Sequence, residues 1–202
     1  MKTKILSLIA LILCSSFAMA KDDFKSCTIE TMSGETIECL AELNLFSISY
    51  KINPNDKPSK IKSKDVRYAT FCENDSCYIV TGMPVVTASN TLKGKTKGMN
   101  VGFQIFHNDP KTEKLSVASY MQQYGNMFIR IYCFHKLGND FTTFTFSTHT
   151  YDRSVTAKKS ASYYMKDCPE ILTYVTNKDT KIKELEDFKN LVTEYNICVD
   201  NQ

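Results

Sequence analysis

Cys133 and His135 stand two residues apart, the spacing at which a strand turns both side chains to one face. A thiol beside an imidazole is the raw material of a nucleophile and its base. Such a dyad also needs an orienting group and an oxyanion hole, and no local motif supplies either. The expectation is a buried, unreactive Cys133 beside a rim histidine. A shared metal among the histidines fails on distance. If Gly138-Asn139 is a turn, His135 faces Thr142, and His149 lies about seven rungs away, roughly 23 Å at the usual strand rise. His107, in Phe106-His107-Asn108-Asp109-Pro110, reads as a turn residue.

Other chemical signals weaken in the same way. Gly94-Lys95-Thr96 resembles the end of a phosphate-binding loop, but that motif needs glycine where Ser89 stands and a helix afterwards. Residues 92–100 are read instead as a mobile basic loop. Lys57, Lys60, Lys62 and Lys64 read as a solvated loop and strand edge, where they discourage edge-to-edge pairing. Glu35, Glu38 and Glu42 fall along a strand rather than towards a recognisable cleft. Neither a Gly-x-Ser-x-Gly elbow nor a His-Glu-x-x-His or calcium-loop pattern occurs. The sequence therefore assigns no catalytic, cofactor-binding or metal-ligating residue, and no cofactor.

The address of the chain is more legible. Lys2 and Lys4 precede an apolar run from Ile5 to Phe17, and Ala18-Met19-Ala20 supplies small residues at a cut site. That order is what a secretory leader requires. Polar Lys21, Asp22 and Asp23 follow at once, and no later stretch reaches the ~20 apolar residues of a membrane anchor. Acylation at Cys14 is the minor alternative, because Leu13 stands where the lipoprotein peptidase wants a small residue. The expected product is exported, either periplasmic or secreted. Loss of residues 1–20 removes Lys2 and Lys4 and takes the formal charge from +3 to +1. Nucleic-acid binders need a cationic excess to displace counterions from phosphate, so nucleic acid is not an expected partner.

Seven of the eight cysteines follow the leader, and export makes pairing the default over metal binding. Cys27 and Cys39 bracket the turn Met32-Ser33-Gly34. Cys72 and Cys77 flank Glu73-Asn74-Asp75-Ser76, read as a four-residue turn. Cys168 and Cys198 lie in the tail, where a bridge would clip the last helix to the segment before it. Cys133 is left as the free thiol. Asn74-Asp75-Ser76 also matches a glycosylation sequon, but between two cysteines it reads as a turn.

The elements that must carry these residues change character along the chain. Alternation from Asn44 to Ile52 predicts a half-buried strand, ended by Asn53-Pro54-Asn55-Asp56-Lys57-Pro58. Further strands are predicted over 60–71, 78–81, 85–88, 101–106, 115–121, 127–136 and 141–149, with Gly138-Asn139 joining the last two. After Thr150, Ala157, Ala161 and Tyr164 recur at helical spacing, and Asp167-Cys168-Pro169-Glu170 offers a cap followed by proline in a first turn. Ile182, Leu185, Phe188, Leu191, Val192 and Tyr195 then form a core-facing amphipathic stripe. The fold class expected is α+β: an antiparallel β-sheet or small barrel followed by a C-terminal helical cap. The organisation expected is a leader at 1–20, a β-rich subdomain at 21–81, a central antiparallel region at 82–150 and a helical segment at 151–202 packed on the sheet.

Two stretches carry a resemblance. Ser33-Gly34-Glu35-Thr36-Ile37 with Lys60-Ile61-Lys62-Ser63-Lys64-Asp65-Val66 resembles the opening of small exported proteins of Bacteroidetes-type bacteria. Tyr163-Tyr164-Met165-Lys166-Asp167-Cys168-Pro169-Glu170 and Glu194-Tyr195-Asn196-Ile197-Cys198 are similar to their tails. The resemblance implies export and transfers no functional residue. The function expected is a non-enzymatic envelope or secreted protein that binds an envelope protein or surface ligand through its sheet or loops. The alternative is a small extracytoplasmic hydrolase whose site is assembled from distant residues.

Overall fold

Gly34, at φ +89°, closes the first hairpin in the computed structural model, which describes residues 23–147, 153–182 and 184–202. The expected leader, with Cys14, and His149 lie outside those residues. Strands β1 (Lys25–Thr31) and β2 (Thr36–Leu43) pair antiparallel, with Cys27 opposite Cys39. The Gly34 N–H donates to the Thr31 carbonyl at 3.0 Å, and the Thr31 N–H donates to the Glu35 carbonyl at 2.8 Å. This is the three-residue hairpin loop expected around Met32-Ser33-Gly34.

Strands β3 (Ser47–Lys51) and β4 (Ser59–Lys62) extend the sheet to one edge. Lys60 and Lys62 stand exposed on edge strand β4, where their charge opposes pairing with another chain. On the other side of β1 lie β5 (Val66–Glu73) and β6 (Ser76–Thr81). The turn between them is tighter than expected. Asn74 takes a left-handed φ of +53°, a region asparagine tolerates, so two residues close the turn rather than four. Cys72 and Cys77 thereby come to a Cα separation of 4.2 Å and are disulfide-bonded.

The middle of the chain continues the same sheet through β7 (Val85–Val86), β8 (Gln104–Phe106), β9 (Leu115–Tyr124), β10 (Met127–Lys136) and β11 (Thr142–Ser147). The order across the sheet is β4-β3-β2-β1-β5-β6-β8-β9-β10-β11-β7. All neighbours are antiparallel except β11 and β7, which are parallel. The sheet is open, so the barrel alternative is not realised. It crosses the expected boundary near residue 81 through the β6–β8 ladder.

Helix α1 (Ala88–Leu92) was not expected: the sequence reads as strand and loop there. It starts because the Thr87 hydroxyl accepts the Asn90 N–H. Helices α2 (Arg153–Tyr164), α3 (Pro169–Thr176) and α4 (Leu185–Asp200) follow the last strand. Within Asp167-Cys168-Pro169-Glu170 the N-cap position of α3 falls on Cys168, whose side chain makes no capping hydrogen bond, and Pro169 stands in the first turn. Glu184 and Asp187 form a reciprocal capping box at α4. The stripe Phe188, Leu191, Val192 and Tyr195 is buried with Ala157, Ala161 and Tyr164 against Leu115, Val117, Tyr132 and Phe134 of the sheet. Asn196 fastens α4 to the start of β9: its Oδ1 accepts the Leu115 N–H at 2.9 Å, and its Nδ2 donates to the Leu115 carbonyl at 3.0 Å. The Cys168–Cys198 disulfide closes the helical layer, as expected. A separate core, with Ile29, Ile48 and Phe71 at its centre, fills the N-terminal half. No helix among the described residues is long and apolar enough to cross a membrane.

Candidate functional site

The residues with the sharpest chemical promise are committed to the core. Cys133 is wholly buried, and desolvation pushes its thiol up to about 12, the reverse of what activates a nucleophile. His135 is a correction: it is buried at 0% exposure, not placed at the rim. Its Nε2 accepts the Tyr68 hydroxyl at 3.0 Å, which leaves the proton on Nδ1 to face the Phe141 carbonyl at 3.3 Å. With both nitrogens satisfied inside an apolar shell, burial lowers its pKa to about 4. His107 faces the Ser119 hydroxyl at 2.7 Å, and burial lowers its pKa as well.

The third expected bridge also needs correcting. Cys27 and Cys39 are register partners, yet both carry free thiols. The Cys39 thiol lies 3.5 Å from the Cys27 carbonyl oxygen and also meets the Cys27 side chain, but no bond joins the two sulfurs. Desolvation raises both thiols, so they are inert core groups in this geometry. Three thiols are therefore free among the described residues, where Cys133 alone was expected. No cluster of three or more histidines, cysteines or carboxylates is placed to hold a metal ion among those residues.

What the fold does assemble is a basic cleft on the helical side of β10 and β11. It encloses about 320 Å³ between the loop after α1, the β10–β11 connection and the end of α2. Three lysines meet there: Lys95 from the loop after α1, Lys136 from the last position of β10 and Lys166 from just beyond α2. No carboxylate lines the cleft, and no ion pair engages the three lysines among the described residues. All three side chains are exposed, so their charge is available at the mouth.

Local chemistry explains how each lysine arrives. The Lys95 N–H donates to the Asn90 carbonyl at 2.9 Å and the Gly94 N–H to the Thr91 carbonyl at 3.0 Å, with Gly94 at φ +67°. That is a Schellman cap on α1. Gly94-Lys95-Thr96 is thus a helix stop and not a phosphate loop, and the segment read as a mobile loop is tied down at its start. Its other end is held by the Val85–Met99 bridge, with both bonds at 2.9 Å. Lys136 closes β10 and accepts the Asn139 N–H on its carbonyl at 3.0 Å, while Gly138 takes φ +86°. The connection from β10 to β11 spans residues 137–141, longer than the two-residue turn expected. His135 still falls opposite Thr142, because the register beside it pairs Phe134 with Thr143. Lys166 follows α2, its ammonium 5.7 Å from the centre of the Tyr163 ring.

Polar groups brace the floor. The Thr143 hydroxyl meets the Thr91 hydroxyl at 3.1 Å and the hydroxyl of Tyr164 on its other side. Desolvation raises the Tyr164 phenol to about 12, so it stays protonated at neutral pH. Neighbouring Thr142 faces the opposite side of the strand and donates to Gln104 at 2.6 Å, and Gln104 in turn donates to the Met83 carbonyl at 2.7 Å. The floor is therefore anchored through β11 into a buried hydrogen-bond network. Three ammonium groups around a braced polar floor suit the capture and orientation of an anion.

Lys136 and Lys166 carry no local signal that would single them out, since 71 residues separate Lys95 from Lys166. No protein-family model, curated protein or solved structure matches this chain.

Proposed function

We propose that this chain is an exported, non-enzymatic binding protein that takes a small anionic surface ligand in the Lys95–Lys136–Lys166 cleft. The observation that carries the proposal is the convergence of three lysines from three separate elements on one concavity that no carboxylate lines. Like charges held together without counter-charges repel one another, and an anion relieves that repulsion. Two disulfides support an oxidising address, periplasmic or secreted, as does the likeness of the chain's ends to small exported proteins. The hydrolase alternative loses its best nucleophile, because Cys133 is sealed in the core and held as a thiol.

The test is a thermal-shift and calorimetric titration of the mature protein, disulfides intact, with phosphate and short carboxylates at constant ionic strength. A ligand that binds only the folded state raises its stability by RT ln(1 + [L]/Kd). The melting temperature of the wild type should rise with anion concentration. Combined Lys95→Gln, Lys136→Gln and Lys166→Gln substitutions should abolish that rise. An unresponsive wild type, or a triple variant that responds equally, would sink the proposal.

A further inference from the structure

The basic cleft shares Thr91, Tyr163 and Tyr164 with a second recess of about 260 Å³, lined from α1, β11 and α2. Its lining differs in kind. Ala88 and Leu92 of α1 and the two tyrosines give it a mostly apolar surface, with Ser89, Thr143 and Ser160 beside them and the exposed Lys159 also in its lining. Leu92 is 59% exposed beside the recess, so its side chain is open to a ligand there. The two spaces share the wall made by Thr91, Tyr163 and Tyr164, with Lys95, Lys136 and Lys166 on one side and, on the other, the mostly apolar recess whose one charged residue is Lys159. Together they fall within the ~300–1,000 Å³ range of small-molecule sites.

We infer that the ligand is an anionic amphiphile, with a carboxylate or phosphate head among Lys95, Lys136 and Lys166 and a short apolar chain lying past Tyr163 and Tyr164 against Leu92. This inference rests on the reading of the cleft as an anion site. A free inorganic anion would fill only the charged half and leave Leu92 in water. An uncharged hydrocarbon would fill only the apolar half and leave the three lysines unpaired. A head joined to a chain satisfies both halves at once.

The experiment is calorimetry on the mature, oxidised protein with butyrate, hexanoate, octanoate and the neutral control octanol. Each methylene buried in the recess should lower Kd by about three- to fourfold until the recess is full. Octanol should bind at least about tenfold more weakly than octanoate. Leu92→Ser, at an exposed position outside the core, should flatten the chain-length dependence, weakening octanoate by a larger factor than butyrate. Equal affinity for butyrate and octanoate, with both lost in the triple lysine variant, would overturn the amphiphile and leave the anion site standing. Octanol binding as tightly as octanoate would overturn the charged head. No binding by any carboxylate would overturn both the inference and the reading beneath it.

Discussion

His135 shows how a residue chosen for reactivity can be spent on architecture. Both its nitrogens are engaged, by the Tyr68 hydroxyl and the Phe141 carbonyl, and it sits at zero exposure. Its pKa is about 4 in the fold against an ordinary value near 6.5, so the unfolded chain binds its proton first as the pH falls. His135 therefore costs no stability above pH ~6.5, and stability is lost progressively as the pH drops towards about 4. The full loss by that point is on the order of 3 kcal/mol. Urea unfolding of the wild type and of His135→Asn across that range should show a shallower pH slope in the variant, and equal slopes would contradict the assignment. Tyr68→Phe leaves Nε2 without its donor and should cost about 1–3 kcal/mol in the same assay at neutral pH. The pairing of Cys133 and His135 on one strand was legible from their spacing, but the burial of His135 was not. Its shell comes from Tyr68 on β5 and Phe106 on β8, far away in sequence.

At the scale of elements, legibility followed the range of the forces involved. The hairpin at Met32-Ser33-Gly34 and the Pro169 start of α3 rest on turn and helix-start residues within a few positions of each other, and they form close to where such residues place them. Helix α1 escaped notice because five residues are too few to show a 3.6-residue period, and its Thr87 cap reads equally well as the end of a strand. The parallel pairing of β7 with β11 joins residues over fifty positions apart and leaves no local trace. Cysteine register was readable where cysteine chemistry was not: Cys27 faces Cys39, yet no bond joins their sulfurs. Alkylation of unfolded residues 21–202 should consequently label three thiols before reduction and seven after it, and a single label before reduction would restore the third bridge. The Cys168–Cys198 link closes a 30-residue separation, and replacing both cysteines by serine should destabilise the fold by about 3–4 kcal/mol in the loop-entropy account. Chemical denaturation measures this directly. Asn196→Ala strips two backbone hydrogen bonds from the junction of α4 and β9, with an expected cost of about 1–3 kcal/mol by the same measurement.

For the molecule as a whole, α+β composition and a C-terminal helical layer followed from the switch of hydrophobic period after Thr150, whereas the openness of the sheet depended on which strands meet at its ends. The cleft belongs to the same non-local class. Lys95, Lys136 and Lys166 are unremarkable lysines one at a time, and only the meeting of a helix stop, a strand connection and a helix end makes them a site. Net charge gave no warning, because a formal +3 over 202 residues is small and the three lysines cluster only locally. The sheet edge offers an internal contrast, since Lys57, Lys60, Lys62 and Lys64 are equally exposed but lie outside the cleft. The most direct measurement is an NMR titration of the reductively ¹³C-methylated protein with octanoate, each lysine assigned by its glutamine variant. The account predicts that the Lys95, Lys136 and Lys166 signals move together along one binding curve while those of Lys57, Lys60, Lys62 and Lys64 stay still. Uniform movement of all lysines, or of none, would contradict it.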